Sequence, residues 1–325
     1  MNSRIKIGIV GYGNLGKGVE KSLQQNPDME LKAIFSRRSP DYFSTTSNIL
    51  SMEEIPNFKD KIDVMILCGG SAKDLPVQSL EIAQYFSTVD SFDTHAEIPQ
   101  YFEAVNKIAT QNKNLSLIST GWDPGLFSII RVLGESILPK GKTYTFWGEG
   151  LSQGHSDAVR QIPGVKLAAQ YTLPNQQALR EAKLKNQPDL DIPSMHNRKV
   201  YVVLKENFCS KEIEKAIKTM PHYFEPYHTE VFFIEEEEFL KNHQNMPHGG
   251  QVIRTGFSQE NHFQRMEFLL QLENNPAFTS SVLVAFARAV FRMNQENKIG
   301  AISVFDVPLG LLSPRSAEDL RKTFL

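Results

Sequence analysis

The chain has 325 residues, 41% of them hydrophobic, which is enough to bury a large core and favours two domains over one. Its formal net charge of -2, without a basic stripe or arginine-rich tail, excludes an obvious nucleic-acid partner, and the acidic run Glu235–Glu238 reads as a solvated face. No apolar stretch is long enough to span a bilayer and no charged-then-apolar leader opens the sequence, so a cytoplasmic protein is expected.

In chain order, the first element is an alternating strand, Ile5 to Val10, that runs into Gly11-Tyr12-Gly13-Asn14-Leu15-Gly16 and then into a helix pattern with no early breaker. In that setting the spacing is a dinucleotide fingerprint. Gly11 permits the tight turn, Gly13 lets the backbone approach a pyrophosphate, Gly16 allows close packing of the new helix, and the free N–H groups of that helix receive negative charge. The next strand, Leu31 to Phe35, ends in Ser36-Arg37-Arg38, about twenty residues beyond the glycines, where NAD enzymes usually carry a carboxylate for the ribose. Two guanidiniums and a hydroxyl suit a 2′-phosphate better, so NADP is expected, with a pair of solvated surface arginines as the alternative.

Strand-like runs at Val64–Leu67, Thr88–Asp90 and Leu115–Ile118 then alternate with helix-capable segments at Pro76–Phe86 and Ile98–Gln111, the pattern of a doubly wound parallel sheet. Cys68-Gly69-Gly70-Ser71 follows the third strand, at the sheet edge where such folds place ligands, and is read as a second cofactor-facing loop or an ordinary turn. The fold expected is α/β, a Rossmann domain over 1–120 completed by 276–325, with an α+β domain over 121–275 for substrate and dimerisation. In that second part strands are expected at Thr143–Trp147, Val200–Leu204, Val231–Ile234 and Phe263–Leu272, a long loop at Lys185–Arg198, and a helix at Pro276–Met293. Cys68 and Cys209 lie far apart without metal-ligand spacing, so reduced thiols and no metal site are expected.

Polar and aromatic clusters beside glycine or proline punctuate the chain: Asp90-Ser91-Phe92-Asp93, Gly121-Trp122-Asp123-Pro124-Gly125, Phe146-Trp147-Gly148, Ser152-Gln153-Gly154-His155-Ser156-Asp157 and Met246-Pro247-His248-Gly249-Gly250. Any one could be a capped turn; together they suggest a polar pocket. With the glycine fingerprint and Phe35-Ser36-Arg37-Arg38, these blocks resemble the meso-diaminopimelate D-dehydrogenases, from the first strand into the C-terminal region.

The resemblance implies NADP-dependent, reversible oxidative deamination of the D-centre of meso-2,6-diaminopimelate to L-2-amino-6-oxopimelate and ammonia, a step of lysine biosynthesis, by a homodimer. It implies that Asp93 and Asp123 bind the reacting amino group, that Gln153 and Gly154 contact the reacting end, and that Trp147 walls the pocket. Thr172, Arg198, His248 and Asn275 are implied as contacts to the distal L-centre, with Arg198 suited to bidentate capture of its carboxylate. His155 and Asp157 are candidates for proton transfer, and a structural role for His155 stands beside that reading. Two other functions remain open: a broader D-amino-acid dehydrogenase of the same fold, and a catalytically silent NADP-binding sensor.

Overall fold

The computed structural model describes residues 4–43, 47–221 and 223–325. The chain divides into two compact units, Met1–Ile129 with Pro276–Leu325, and Ile130–Asn275. The dividing point falls inside the helix Leu126–Ile137, somewhat beyond the residue 120 read from the sequence, because the first turn of that helix still packs on the core of the first unit.

The first unit is built on a seven-stranded sheet in which every pairing is parallel. Its strands are β1 (Ile5–Val10), β2 (Met29–Ser36), β3 (Ile49–Ser51), β4 (Val64–Leu67), β5 (Ser87–Asp90), β6 (Leu115–Leu117) and, from the end of the chain, β14 (Gly300–Ile302), in the order β14-β6-β5-β4-β1-β2-β3. Continuous apolar runs such as Val64-Met65-Ile66-Leu67 are what a sheet covered on both faces requires, and all four of those residues are fully buried. Helices Asn14–Gln24, Leu75–Ile82 and Ile98–Gln111 make crossovers, the second of them shorter than its sequence pattern suggested. The winding reverses beside β1 and β4, so the turns after these two strands open at the crevice where such sheets bind ligands.

The helix Asn275–Gln295 closes one face of this sheet, adding Leu283, Val284, Phe286 and Val290 to the cluster that holds Ile7, Ile9, Val64 and Ile66. A Cβ at Gly18 would sit 2.3 Å from Ser280 Oγ, so glycine sets the spacing between this helix and Asn14–Gln24. Arg288, only 1% exposed, anchors the helix: it donates to both oxygens of Asp28 at 2.6 and 2.9 Å, to Asn26 Oδ1 at 2.6 Å and to Leu312 O at 2.8 Å. Those bonds hold the Asp28 carboxyl below its ordinary range.

The second unit contains two sheets. One runs β11-β10-β9-β8, from β8 (Gly150–Ser152), β9 (Val165–Pro174), β10 (His196–Leu204) and β11 (His228–Phe233); the other runs β13-β12-β7, from β7 (Gly141–Trp147), β12 (His248–Gln259) and β13 (His262–Leu272). Backbone bonds from Gly148 N to Gly249 O, 2.8 Å, and from Leu151 N to Pro247 O, 2.9 Å, join the two sheets where β7 passes into β8.

The stretch Lys185–Arg198 corrects the sequence expectation of a loop. It carries a short helix, Ile192–Met195, capped by the Asp191 side chain, and β10 begins at His196. The polar run His196-Asn197-Arg198-Lys199 conceals a strand whose alternate residues, His196, Arg198 and Val200, are buried. Two of the clusters that could have been capped turns sit on regular structure, since His248 opens β12 and Gln153 opens the helix Gln153–Arg160, capped by Ser152.

Candidate active site

In the first unit the fingerprint turn builds a nucleotide cleft. Gly11 has φ +89, a conformation few side chains tolerate, and a Cβ at Gly16 would lie 2.1 Å from Gly11 O, so both glycines are required by the backbone itself. Gly13 differs: a Cβ there would meet nothing within 4 Å, and Gly13 N-caps the next helix without a side-chain acceptor. Exposed helix N–H groups beside open space fit a pyrophosphate. The cleft, about 180 Å³, is lined by Gly11, Tyr12, Gly13, Ser36, Arg37, Arg38, Cys68, Gly69 and Gly70, with Asp74 and Gln78 behind them. Leu15 turns its side chain toward the core, Asn14 is exposed, and Ser71 donates no side chain to the cleft wall.

Arg37 and Arg38 stand exposed at the mouth of this cleft. Arg37 pairs with Asp74 at 2.8 Å and Arg38 lies 5.0 Å over the Tyr42 ring, while the Arg38 amide donates to Ser36 Oγ at 3.0 Å. An exposed ion pair such as Arg37–Asp74 is weak, so the guanidinium can be recruited by a phosphate dianion.

The carboxyl ends of β5 and β6 carry Asp93 and Asp123. Asp93 is exposed, and its amide donates to Ser71 Oγ at 2.9 Å, tying it to the loop after β4. Asp123 is partly buried in a tight loop, where a Cβ at Gly125 would strike Gly121 O and the Leu126 and Phe127 amides close onto Gly121 O and Trp122 O. Trp122 is buried edge-on against Phe127.

In the second unit, Arg198 and Thr172 face each other across the antiparallel pair β10 and β9. Arg198 is 7% exposed; its Nη1 donates to Thr172 Oγ1, its guanidinium lies 4.0 Å above the Tyr227 ring, and its Nε is buried without a hydrogen-bond partner. Burial holds its pKa below the usual value, opposed by Tyr227 and, among the described residues, by no carboxylate. A desolvated guanidinium with spare donors is costly unless an anion reaches it, and the chemistry of this donor set suits a carboxylate. Gly150 pairs with Thr172 on the other side of β9, and the His248 ring packs 2.5 Å from where a Gly150 Cβ would lie. His248 accepts from the Gly249 amide at Nδ1, and burial lowers its pKa, so it serves as a neutral ring. The Trp147 indole stacks on His196 at 5.2 Å, and its amide donates to His196 Nε2 at 2.9 Å. Gln153 and Gly154 are exposed at the start of their helix, and the Asn275 amide donates to Met246 O.

His155 is enclosed by its neighbours. Its Nδ1 meets Ser152 Oγ at 2.8 Å, its ring lies edge-on to Tyr223 and Phe224, and burial with the nearby Arg198 charge pushes its pKa down to about 4. Asp157 is exposed and paired with Arg160.

Residues 121–274 match the model of the diaminopimelic acid dehydrogenase C-terminal domain family. The full chain is 58% identical over 325 residues to the meso-diaminopimelate D-dehydrogenase of Ureibacillus thermosphaericus, covering 99% of this chain and 100% of that one. The chain belongs to the meso-diaminopimelate D-dehydrogenase family. Among solved structures of high similarity is a multiply substituted meso-diaminopimelate dehydrogenase with diaminopimelate from Clostridium tetani E88, at TM-score 0.94 and 54% identity, covering 99% of this chain and 100% of that one. Another is an engineered D-amino acid dehydrogenase bound to NADP+, at TM-score 0.87 and 43% identity, with the same coverage.

In this member of the meso-diaminopimelate D-dehydrogenase family, Thr172 and Arg198 are brought together directly, Trp147 and His248 flank the same join between sheets, and Gly11, Gly13, Ser36, Arg37, Arg38 and Cys68–Gly70 line one cleft, which Asn14, Leu15, Gly16 and Ser71 do not line. Three supports escaped sequence reasoning: His196 beneath Trp147, Tyr227 beneath Arg198, and Asp74 beside Arg37. The sole sequence signal for the first two was aromatic residues near the ends of strands.

Proposed function

We propose that the chain catalyses NADP-dependent, reversible oxidative deamination of the D-centre of meso-2,6-diaminopimelate, giving L-2-amino-6-oxopimelate and ammonia, as a step of lysine biosynthesis. The observation that carries this reading is the buried, carboxylate-free Arg198 beside Thr172: a second charged end on the substrate answers it, and a simple amino acid has none. The bound nicotinamide supplies the hydride acceptor.

In the proposed division of labour Asp93 and Asp123 hold the reacting ammonium. A carboxylate suits that task because it attracts the cation and can take its proton, directly or through water, before the Cα–H bond breaks. Water then adds to the substrate imine and ammonia leaves. Gln153 and Gly154 contact the reacting end, while Thr172, Arg198, His248 and Asn275 bind the distal L-centre and Trp147 supplies shape. Gly11 to Gly16 receive the pyrophosphate, Ser36, Arg37 and Arg38 the 2′-phosphate, and Cys68 to Ser71 border the cofactor. The Rossmann domain of this reading comprises 1–120 with 276–325, and 121–275 forms the substrate and dimerisation domain.

A homodimer and a cytoplasmic location belong to the same proposal. Val132, Leu133 and Ile137 are exposed along one helix of the second unit, an apolar strip that a second copy would cover. Both cysteines are free thiols, as in a reducing compartment, and among the described residues no helix is long and apolar enough to cross a membrane. Light scattering on the purified protein tests the dimer.

The activity is tested by absorbance at the reduced-nicotinamide band with NADP or NAD and, separately, the meso, LL and DD isomers of diaminopimelate and D-alanine. Reduction confined to NADP with the meso isomer is the expected result. Comparable turnover of D-alanine would replace it with a broader D-amino-acid dehydrogenase, and NADP binding without turnover would replace it with a sensor.

A further inference from the structure

The side chain of Asp90 is fully buried at the carboxyl end of β5, outside the cofactor cleft, and neither the fingerprint nor the substrate contacts use it. Its Oδ1 accepts two backbone amides, Phe92 N and Ser119 N, each at 3.0 Å. Its Oδ2 accepts from the Tyr101 hydroxyl at 2.6 Å, and that hydroxyl also meets Ser79 Oγ. The Asp90 carbonyl accepts from Thr120 N at 2.8 Å. The Tyr101 ring stacks on Phe92 at 4.1 Å, so the phenol is held against the same short segment that the carboxylate grips.

One residue thus ties two loops that are separate in sequence. Phe92 precedes Asp93, and Ser119-Thr120 leads into Gly121-Trp122-Asp123. The partners that bond its side chain are neutral, and a buried carboxylate without a cation is costly, so the side chain is kept here for the donors it gathers from two separate loops.

We propose that Asp90, backed by Tyr101 and Ser79, is a positioning residue for the reaction: it fixes the loops bearing Asp93 and Asp123 in register with each other. The proposal rests on the reading of Asp93 and Asp123 as the groups that hold the reacting amine. Misplacing such groups by about an ångström costs on the order of a hundredfold in rate, without any contact to the substrate being removed.

The test compares full-length Asp90→Asn, Asp90→Leu and Tyr101→Phe with Asp93→Asn and Asp123→Asn, measuring kcat, KM for meso-diaminopimelate, NADPH affinity by fluorescence, and melting temperature. Asparagine keeps an acceptor oxygen for the Phe92 and Ser119 amides; leucine keeps only bulk. The expected result is a kcat loss of about a hundredfold for Asp90→Leu, largely rescued in Asp90→Asn, with NADPH affinity within a fewfold of the parent. Equal losses in both Asp90 variants, or a loss of NADPH affinity that parallels kcat, would overturn the proposal in favour of a merely structural residue. If Asp90→Leu does not fold, Tyr101→Phe decides: a kcat loss of about tenfold at unchanged NADPH affinity supports the proposal, and parental kcat overturns it. Full activity in Asp93→Asn and Asp123→Asn would instead sink the reading of those two aspartates, a result the Asp90 variants cannot mimic.

Discussion

Arg198 donates to Thr172 from the directly opposite position on the neighbouring strand, so the charged group and its hydroxyl partner are held by strand register and not by a flexible loop. Recognition built on paired strands is rigid, and the cost of ordering the long arginine side chain is met on folding and not on binding. Tyr227 below and Thr172 beside it leave the guanidinium little freedom.

Replacing Arg198 by Met should therefore raise KM for meso-diaminopimelate by about a hundredfold or more, as expected for removing one partner of a buried, charge-assisted contact. NADPH affinity should not change. Steady-state kinetics with a parallel NADPH titration separates the two quantities; a matching drop in cofactor affinity would argue that the substitution had disturbed the fold.

The two arginines at the cleft mouth should set cofactor preference. Changing Arg37 and Arg38 together to Ala removes charge-assisted donors, and kcat/KM for NADP should fall by about a hundredfold while that for NAD moves little. Asp74→Asn should produce a modest change in NADP affinity at low salt, since the Arg37 end of their ion pair is exposed.

Gly16 and Gly13 should respond differently to the same added methyl. A Cβ on Gly16 would collide with Gly11 O at 2.1 Å, so Gly16→Ala should lower the melting temperature and weaken cofactor binding together. Gly13 faces open space, so Gly13→Ala should leave the apo-protein's melting temperature nearly unchanged and weaken only NADPH. Thermal unfolding with and without NADPH reads both effects.

His155 should make the protein acid-sensitive. Its folded pKa of about 4 lies below the 6.5 of a free imidazole, so the unfolded chain takes up the proton first. Its contribution to stability is full above pH 6.5, declines as the pH falls through that value, and levels off near 4, a loss of about 3 kcal/mol at most. Burial lowers His196 and His248 in the same direction. Denaturant unfolding between pH 7 and about 4 should show a shallower decline for His155→Gln than for the parent; parallel curves would refute the assignment.

Loss of Arg288 should unfold the first unit at lower temperature. Arg288→Met removes the donors to the partly exposed Asp28 carboxylate and to the Leu312 carbonyl, at a cost of about 1–3 kcal/mol, whereas the paired substitution Arg288→Met with Asp28→Asn should recover part of it. A double-mutant cycle in denaturant measures that recovery.

The nucleotide half of the protein was legible because its signals are local. The strand Ile5–Val10, the three glycines and the Ser36-Arg37-Arg38 corner lie within a few residues of the backbone features they control, and Gly11, Gly13, Ser36, Arg37 and Arg38 line one cleft. The distal half was less so. Arg198 was placed by resemblance, yet its strand was read as loop, because burial of alternate polar residues looks like polarity when no sheet is in view. His196 and Tyr227 were missed, and Asp90 was read only as part of a polar cluster, for a related reason: what they do depends on partners far along the chain, as with Asp90 and the Ser119 amide 29 residues away. Nothing in the local pattern of an aspartate at a strand end distinguishes such a tie from a turn cap.

The first unit's sheet has as an edge strand β14, which pairs with β6, and the long helix anchored by Arg288 covers one of its faces. Both come from the last fifty residues, after the entire second unit. During synthesis the ribosome must therefore release the whole of Ile130–Asn275 before the nucleotide-binding unit can acquire its last strand and its covering helix. The second unit is free to fold first, although it begins later, and until the helix Asn275–Gln295 has been made the nascent chain leaves the apolar surface of Ile7, Ile9 and Val64 partly uncovered, a natural point of engagement for a chaperone.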